Sequence, residues 1–200
     1  MPSLESMREV LHKKGFKTSV FADAKEAKKA ALELIGEGSV GIGGSMTIKD
    51  MGIYDELISS GNEVSWHWRE QDALKARSNA MVNDFYLSGA NALCENGSLV
   101  NIDGFGNRVM GMVYGCQNVI IFIGKNKIVK DYNAAISRIK TTVCPQNARR
   151  LGYSTPCAKT GQCADCNNPN RMCRVTTMIE YPPHGVKNFY IYLINENLGY

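Results

Sequence analysis

Strand-like and helix-like segments alternate along this sequence from residue 16 to residue 151. Short apolar runs such as 118–123 predict strands, and apolar residues at helical spacing, as in 24–35, predict the helices between them. Parallel strands need a long crossover, usually a helix, so this alternation indicates βαβ units. We therefore expect an α/β fold with a mostly parallel sheet and helices on both faces, followed by two late strands at 175–181 and 189–194.

The composition is that of an ordinary globular protein. The 200 residues are 44% hydrophobic and 21% charged, with a formal net charge of +4. We expect one domain over residues 1–200. The lysines at 13–17 and 25–29 fit solvated helix faces, so we expect no nucleic-acid partner. No apolar run is as long as a membrane span, and the N-terminal residues lack the apolar core of a signal peptide. We expect a cytoplasmic location.

The stretch Ser88–Arg108 is dense in glycine, asparagine and aspartate between two apolar runs. Glycines let a ligand approach the backbone closely, and short polar side chains fix ligand hydroxyls or cap helices. A tight hairpin that leads into a helix, without a ligand, is the alternative interpretation. The candidate binding residues of this stretch are Gly89, Asn91, Asn101, Asp103, Gly104, Gly106, Asn107 and Arg108.

A second glycine turn, within VGIGGSMT at Val40–Thr47, links a predicted strand to a helix. Such a turn can present N–H groups and hydroxyls to an anion, although it is neither a Walker loop nor a dinucleotide fingerprint. The alternative is a simple connection in which Ser45 caps the helix. Ligands of parallel sheets bind beyond the carboxyl ends of strands, so we expect both glycine-rich stretches to line one cleft. The candidate residues of this turn are Gly43, Gly44, Ser45 and Thr47.

The strand predicted at 63–68 (EVSWHW) alternates apolar and polar residues. His67 lies on its polar face, which favours a surface or strand-end histidine over a catalytic one. Exposure of Trp66 or Trp68 would indicate an interface, so a homo-oligomer is left open.

The cysteines divide into a cluster and three isolated residues. The cluster, Cys157-x5-Cys163-x2-Cys166-x6-Cys173, lies in a loop at 153–174 with few apolar residues to hold it. Thiolates favour zinc or iron–sulfur centres, so we predict a four-cysteine metal site that is either zinc or [4Fe–4S]. Free thiols or disulfides are the alternatives. We predict that Cys94, Cys116 and Cys144 are small, buried residues that behave as apolar side chains.

Four segments together resemble the LUD domain family, the lactate-utilisation proteins typified by LutC. These are VGIGGSMT at Val40–Thr47, GANALCENGSLVNIDGFGNR at Gly89–Arg108, GKNKIV at Gly124–Val129 and PCAKTGQCADCNNPNRMC at Pro156–Cys173. They occur in family order and span most of the chain. The resemblance implies the fold shared by ribose-5-phosphate isomerase, glucosamine-6-phosphate deaminase and CoA transferases.

The resemblance also implies residue roles. In that wider superfamily, the early glycine loop holds a phosphate and the later stretch carries an acid–base or nucleophilic carboxylate. Glu95, Asp103 and Asn107 would then face the reacting carbon, and Glu95-Asn96-Gly97 resembles the nucleophile motif of CoA transferases. Asn-Gly is equally a strong hairpin signal, which would make Glu95 a strand-end residue. Candidate charge partners for a bound anion are Arg108, Lys125 and Lys127.

We accordingly expect a lactate-utilisation protein that binds an anionic or phosphorylated small molecule in the cleft. One alternative is a non-catalytic iron–sulfur or zinc subunit that partners the other subunits of a lactate-oxidising complex. Another is a sugar-phosphate isomerase or a CoA transferase-like enzyme, which rests on fold analogy alone. The sequence leaves open whether the protein is an enzyme.

Overall fold

The structure is a computed structural model that describes residues 2–200. Within that range the chain forms ten strands and nine α-helices. The strands are β1 Lys17–Phe21, β2 Val40–Ile42, β3 Val64–Trp66, β4 Phe85–Gly89, β5 Ala92–Cys94, β6 Leu99–Asp103, β7 Asn118–Gly124, β8 Ile128–Val129, β9 Val175–Ile179 and β10 Asn188–Ile194. The helices are α1 Leu4–Lys13, α2 Ala24–Ile35, α3 Met46–Met51, α4 Ile53–Ser59, α5 Ala73–Ala80, α6 Asn107–Val113, α7 Tyr132–Arg138, α8 Cys144–Arg150 and α9 Pro156–Thr160.

Six strands form one sheet in the order β1-β10-β7-β4-β2-β3, and every neighbouring pair is parallel. Helices flank this sheet, so the prediction of an α/β fold with a parallel sheet is confirmed. The two late strands separate: β10 lies within this sheet between β1 and β7, whereas β9 joins a smaller sheet of order β8-β5-β6-β9. Because the strands of this sheet are parallel, their carboxyl ends, and any ligand loops that follow them, lie on one edge.

The central strand β7 shows why the sheet is buried on both faces. Val119, Ile121 and Ile123 point into the apolar cluster on one face, and Ile120 and Phe122 into the cluster on the other. Side chains of a strand alternate between faces, so a continuous apolar run is what a strand covered on both sides requires. A third cluster lies behind the smaller sheet and holds the helical segment 132–150.

The helical segment 132–150 begins where Asp131 accepts a hydrogen bond from the N–H of Ala134. A π-helical turn at Ile139–Val143 separates α7 from α8, and Pro145 lies in the first turn of α8. Proline lacks the N–H that a regular helix would use there, and the wider turn accommodates that loss. The helical segment therefore continues past Pro145 to Arg150.

The hairpin between β5 and β6 is antiparallel and turns at Asn96-Gly97. Gly97 has φ +86°, in the left-handed region that suits glycine. The hairpin interpretation of this motif is therefore confirmed, and Glu95 lies at the strand end.

Within residues 2–200, none of the helices combines the length and apolar character that crossing a membrane requires.

Candidate functional site

The two glycine-rich stretches lie side by side. β2 and β4 are hydrogen-bonded neighbours, so the segments 43–47 and 89–108 both start from the same edge of the sheet. A Cβ on Gly89 would lie 3.0 Å from both Ser45 Oγ and Thr47 Oγ1. The backbone at Gly89 therefore packs directly against the side chains of Ser45 and Thr47, which is possible because glycine has no Cβ.

A cleft of about 600 Å³ opens at this edge. That volume is within the range of cavities that hold small molecules, roughly 300–1,000 Å³. Its walls come from the segments that follow β2, β3, β4 and β6, from α8, from the cysteine-rich loop and from the C-terminal residue. The lining residues include Gly44, Ser45, His67, Trp68, Gly89, Asn91, Asp103, Gly104, Asn107, Arg108, Asn147, Arg150, Arg171, Arg174 and Tyr200.

Positive charge dominates the cleft. Among the described residues that line it, five have an arginine side chain and only Asp103 has an acidic side chain. Concave surfaces of one charge concentrate the opposite charge, so this cleft favours anions. The arginines are Arg77, Arg108, Arg150, Arg171 and Arg174.

Arg108 is the most constrained of these arginines, with only 8% of its surface exposed. Its Nη2 donates to Asn91 Oδ1 and to the carbonyl of Ile102, each at 2.9 Å. Its Nε is buried, has no hydrogen-bond partner and lies 3.6 Å from Asp103 Oδ1. A guanidinium with an unused donor beside a cleft is a natural anchor for an anion.

Asp103 ends β6 and faces the cleft. One carboxylate oxygen, Oδ2, accepts a hydrogen bond from the backbone N–H of Arg108 at 3.1 Å, and the other approaches the guanidinium. Its side chain keeps 13% of its surface exposed. The carboxylate is therefore held in position and still accessible from the cleft.

His67 directly follows β3 and lines the same cleft. Burial and the positive charge of Arg77 lower the pKa of His67 to about 4; Asp103 opposes this shift and Arg150 adds to it. The imidazole is therefore neutral at physiological pH and can both donate and accept a hydrogen bond. The expectation of a surface or strand-end histidine agrees with its position directly after β3 but did not include its place in the cleft.

In an NMR titration, the ring protons of His67 are expected to titrate near pH 4. Arg77→Met removes a positive charge that disfavours the imidazolium, so it should raise the His67 midpoint. Asp103→Asn removes a favourable negative charge and should lower that midpoint. Arg8→Met, at a solvent-accessible side chain of α1, is the remote control. A His67 midpoint near 6.5 that neither cleft variant moves would contradict this electrostatic description.

The amides of the glycine-rich stretch brace its backbone. Asn91 Oδ1 accepts from the N–H of Ile102 as well as from Arg108, and Asn101 Oδ1 accepts from the N–H of Asn91. Asn101 is fully buried behind the cleft wall, whereas Asn91 and Asn107 line it. Asn91 and Asn101 thus hold the arginine anchor in place.

The candidates of the first turn take structural positions. Ser45 caps α3 through its Oγ, which accepts from the N–H of Ile48 at 3.4 Å. Thr47 is buried and accepts a hydrogen bond from Lys127 Nζ at 2.6 Å. Burial lowers the pKa of Lys127 to about 7, with further contributions from Arg138 and Arg108. Lys127 therefore supports the turn from behind and does not line the cleft.

Three further candidates lie outside the cleft. Glu95 occupies the hairpin end, and Gly106 precedes α6 without lining the cleft. Lys125 contacts Asn195 and borders a second, more apolar cavity near the end of β1. The structure thus brings Asp103 and Asn107 to the cleft but leaves Glu95 apart from them.

Several cleft residues had no signal in the local sequence. Arg150 stacks on Trp68, with its guanidinium 4.6 Å from the ring centre, and donates to the Tyr200 hydroxyl. Trp66 is buried, and Arg150 covers Trp68. Neither tryptophan therefore provides an exposed surface for an interface. Trp68 and His67 could have been found from their place just after a strand, whereas Arg150 and Tyr200 arrive from distant parts of the chain.

The four predicted metal ligands do not come together as a set. Within residues 2–200, no three His, Cys, Asp or Glu side chains form a group that could hold a metal ion. Cys157, Cys166 and Cys173 are partly exposed and Cys163 is exposed, all as free thiols. A zinc or [4Fe–4S] site at these cysteines therefore stays a prediction.

Cys144 makes a contact that its predicted apolar role did not include. It is buried at the first residue of α8, and its Sγ lies 3.3 Å from Cys173 Sγ. The hydrogen bond with Cys144, followed by the charges of Arg171 and Lys140, lowers the pKa of Cys173 to about 7. The same hydrogen bond and burial raise the pKa of Cys144. Cys173 is the more acidic thiol of this pair.

Comparisons with known proteins agree with the fold. The family model described as the LUD domain matches residues 4–194. Among solved structures, the chain is similar to a DUF162 family protein from Deinococcus radiodurans, with 12% identity, a TM-score of 0.54, and coverage of 96% of this chain and 95% of that chain. At that identity the likeness shows a shared fold alone. No curated protein matches.

Proposed function

Because the chain belongs to the LUD domain family, we propose that it is a lactate-utilisation protein whose cleft binds a small anionic or phosphorylated molecule. The ligand lies between the segments 43–47 and 89–108, with its negative charge toward Arg108. Candidate ligands share a carboxylate or a phosphate, the groups that a guanidinium recognises through paired hydrogen bonds.

The buried guanidinium of Arg108 is the observation that carries this proposal. Two of its donated hydrogen bonds serve Asn91 and Ile102, while its Nε has no partner. Leaving a buried donor unsatisfied costs about 1–3 kcal/mol, so such donors often mark ligand positions. The excess of arginine over carboxylate in the lining supports the same sign of ligand charge.

Two side chains in the same cleft can accept or donate a proton. The carboxylate of Asp103 is fixed by the N–H of Arg108, and the neutral imidazole of His67 lines the same cleft. If the protein turns over its ligand, these are the acid–base groups that we propose. Glu95, in the hairpin, is left out of the proposed chemistry.

The test is a thermal-shift screen of the purified protein against lactate, other 2-hydroxy acids, inorganic pyrophosphate, ribose 5-phosphate, glucosamine 6-phosphate and coenzyme A. A ligand at about one hundred times its Kd adds about 2.7 kcal/mol to the stability of the folded state. For a domain of this size that corresponds to a rise of roughly 5–10 °C in Tm. We expect at least one anion to give a shift of this kind.

Neutral analogues control for non-specific effects: propane-1,2-diol for lactate and unphosphorylated ribose for its phosphate. The shift should vanish with the neutral analogue and fall when Arg77→Met removes a positive charge from the cleft. The absence of any shift across the panel, or equal shifts in wild type and in a protein without Arg108, would contradict the proposal.

A further inference from the structure

We propose that Cys144 and Cys173 are a redox modification site: a dithiol that closes reversibly to a disulfide and fastens the cysteine-rich loop to α8. This inference is independent of which anion the cleft binds. It involves Cys144, which lies outside the predicted set of four metal ligands.

The distance between the two sulfur atoms is the first support. Cys144 Sγ and Cys173 Sγ are 3.3 Å apart, although the residues are 29 positions apart in the chain. A disulfide has an S–S distance of about 2.05 Å, so closure needs the sulfurs to approach by only a little over 1 Å. Both residues pack against the apolar cluster behind the smaller sheet, which holds them close together.

Cys173 is the thiol of this pair that solvent can reach. Arg171 donates from Nε to the carbonyl of Cys173 and from Nη1 to the carbonyl of Cys166, which fixes the guanidinium close to this thiol. Cys173 is partly exposed, whereas Cys144 is buried. Because Cys173 is partly exposed and Cys144 is buried, an oxidant in solution reaches Cys173 first, and Cys144 is its resolving partner.

The exchange step uses a small-molecule disulfide, such as oxidised glutathione, as the oxidant. The thiolate of Cys173 attacks one sulfur of that disulfide, forms a mixed disulfide and releases one thiolate. Cys144 then loses its proton and attacks Cys173 Sγ, which breaks the mixed disulfide and releases the second small thiol. Two protein thiols are oxidised and one small disulfide is reduced to two thiols, so the exchange balances.

Formation of the Cys144–Cys173 disulfide would restrain one wall of the cleft. Met172, next to Cys173, lines the cleft and accepts a hydrogen bond at its sulfur from Asn147 of α8 at 3.3 Å. Arg171 of the same loop also lines the cleft. A covalent bond between Cys144 and Cys173 would hold this wall against α8, whereas the reduced form holds it by noncovalent contacts alone.

The test equilibrates the full-length protein in glutathione buffers of increasing oxidising strength, followed by alkylation and peptide mapping. We expect a Cys144–Cys173 disulfide to form and to disappear on return to reducing buffer, with loss of two alkylation sites. Cys173→Ser should abolish the loss at Cys144, while Cys163→Ser, at an exposed thiol, should leave it unchanged. Hydrogen exchange of residues 169–174 should be slower in the oxidised wild type.

Three outcomes would overturn the proposal. One is a Cys144 that stays reduced while other cysteines pair with each other. Another is a pairing of Cys144 and Cys173 that fails without Cys163. The third is stoichiometric zinc or iron in anaerobically purified protein that protects Cys173 from alkylation. Mapping of the wild-type protein decides the first and third outcomes, so the test does not depend on a variant folding.

Discussion

Replacing Arg108 by methionine is expected to destabilise the fold by about 3–5 kcal/mol and to abolish anion binding. The substitution keeps the aliphatic stem but removes the donors to Asn91 Oδ1 and to the carbonyl of Ile102. It also leaves the Asp103 carboxylate, 13% exposed, without its nearby cation. The measurements are urea unfolding and calorimetric titration with inorganic pyrophosphate.

A double variant separates the two effects of losing Arg108. Adding Asp103→Asn removes the uncompensated carboxylate, so it should recover part of the lost stability but none of the binding. Arg8→Met is the matched control, because Arg8 is exposed and its ion pair with Glu5 is worth about 0–1 kcal/mol. Pyrophosphate affinity that survives Arg108→Met in a folded protein would contradict the assigned anchor.

Replacing Gly43 by alanine is expected to lower the free energy of unfolding by about 1–3 kcal/mol. An added Cβ would lie 2.7 Å from the Tyr86 hydroxyl, 3.0 Å from Ser88 Oγ and 3.2 Å from Arg108 Cγ. The neighbours are buried and have little room to move, so the backbone of the turn or the arginine must shift. The measurement is urea unfolding of both proteins with a check for an unchanged m-value.

The clash at Gly43 has a specific relief. Tyr86→Phe removes the hydroxyl nearest the added Cβ, so the double variant should recover part of the stability that Gly43→Ala loses. The control is Gly44→Ala, because a Cβ there would lie 3.4 Å from His67, an ordinary contact distance. Equal destabilisation by the two alanine substitutions, or no coupling with Tyr86→Phe, would contradict the packing described for this turn.

The fold class could be predicted because local patterns decide it. Capping residues such as Asp23 and Asp131 lie where the helices begin, and the apolar run of β7 fits a strand buried on both faces. The order of the strands could not be predicted in the same way. β9 and β10 are adjacent in sequence, yet β9 pairs with β6 and β10 lies between β1 and β7. β10 is largely buried and β9 is largely exposed, a difference that depends on tertiary packing.

The candidate site shows a similar division. That the two glycine-rich segments would meet followed from the rule that ligand loops come after parallel strands, and β2 and β4 are neighbours. The same rule applied to β3 would have included His67. Arg150 and Tyr200 could not be found in this way, since a helix and the C-terminal residue carry them to the cleft from distant positions.

The spacing of the cysteines along the sequence could not predict the contact between Cys144 and Cys173. The run from Cys157 to Cys173 suggested one four-thiol set, because the spacing within a loop was the only available guide. The structure also brings Cys173 close to Cys144, a residue at the start of α8 that had no sequence signal beyond its apolar character. Contacts between a loop and a distant helix depend on tertiary packing, which no local motif encodes.

The central claim is that an anion binds between the segments 43–47 and 89–108. A crystal structure of the protein soaked in inorganic pyrophosphate tests this claim most directly. The predicted result is density for the anion in the cleft, in contact with the Arg108 guanidinium. Density only in the second cavity beside Lys125, or an empty cleft under conditions where pyrophosphate binds the protein in solution, would contradict the claim.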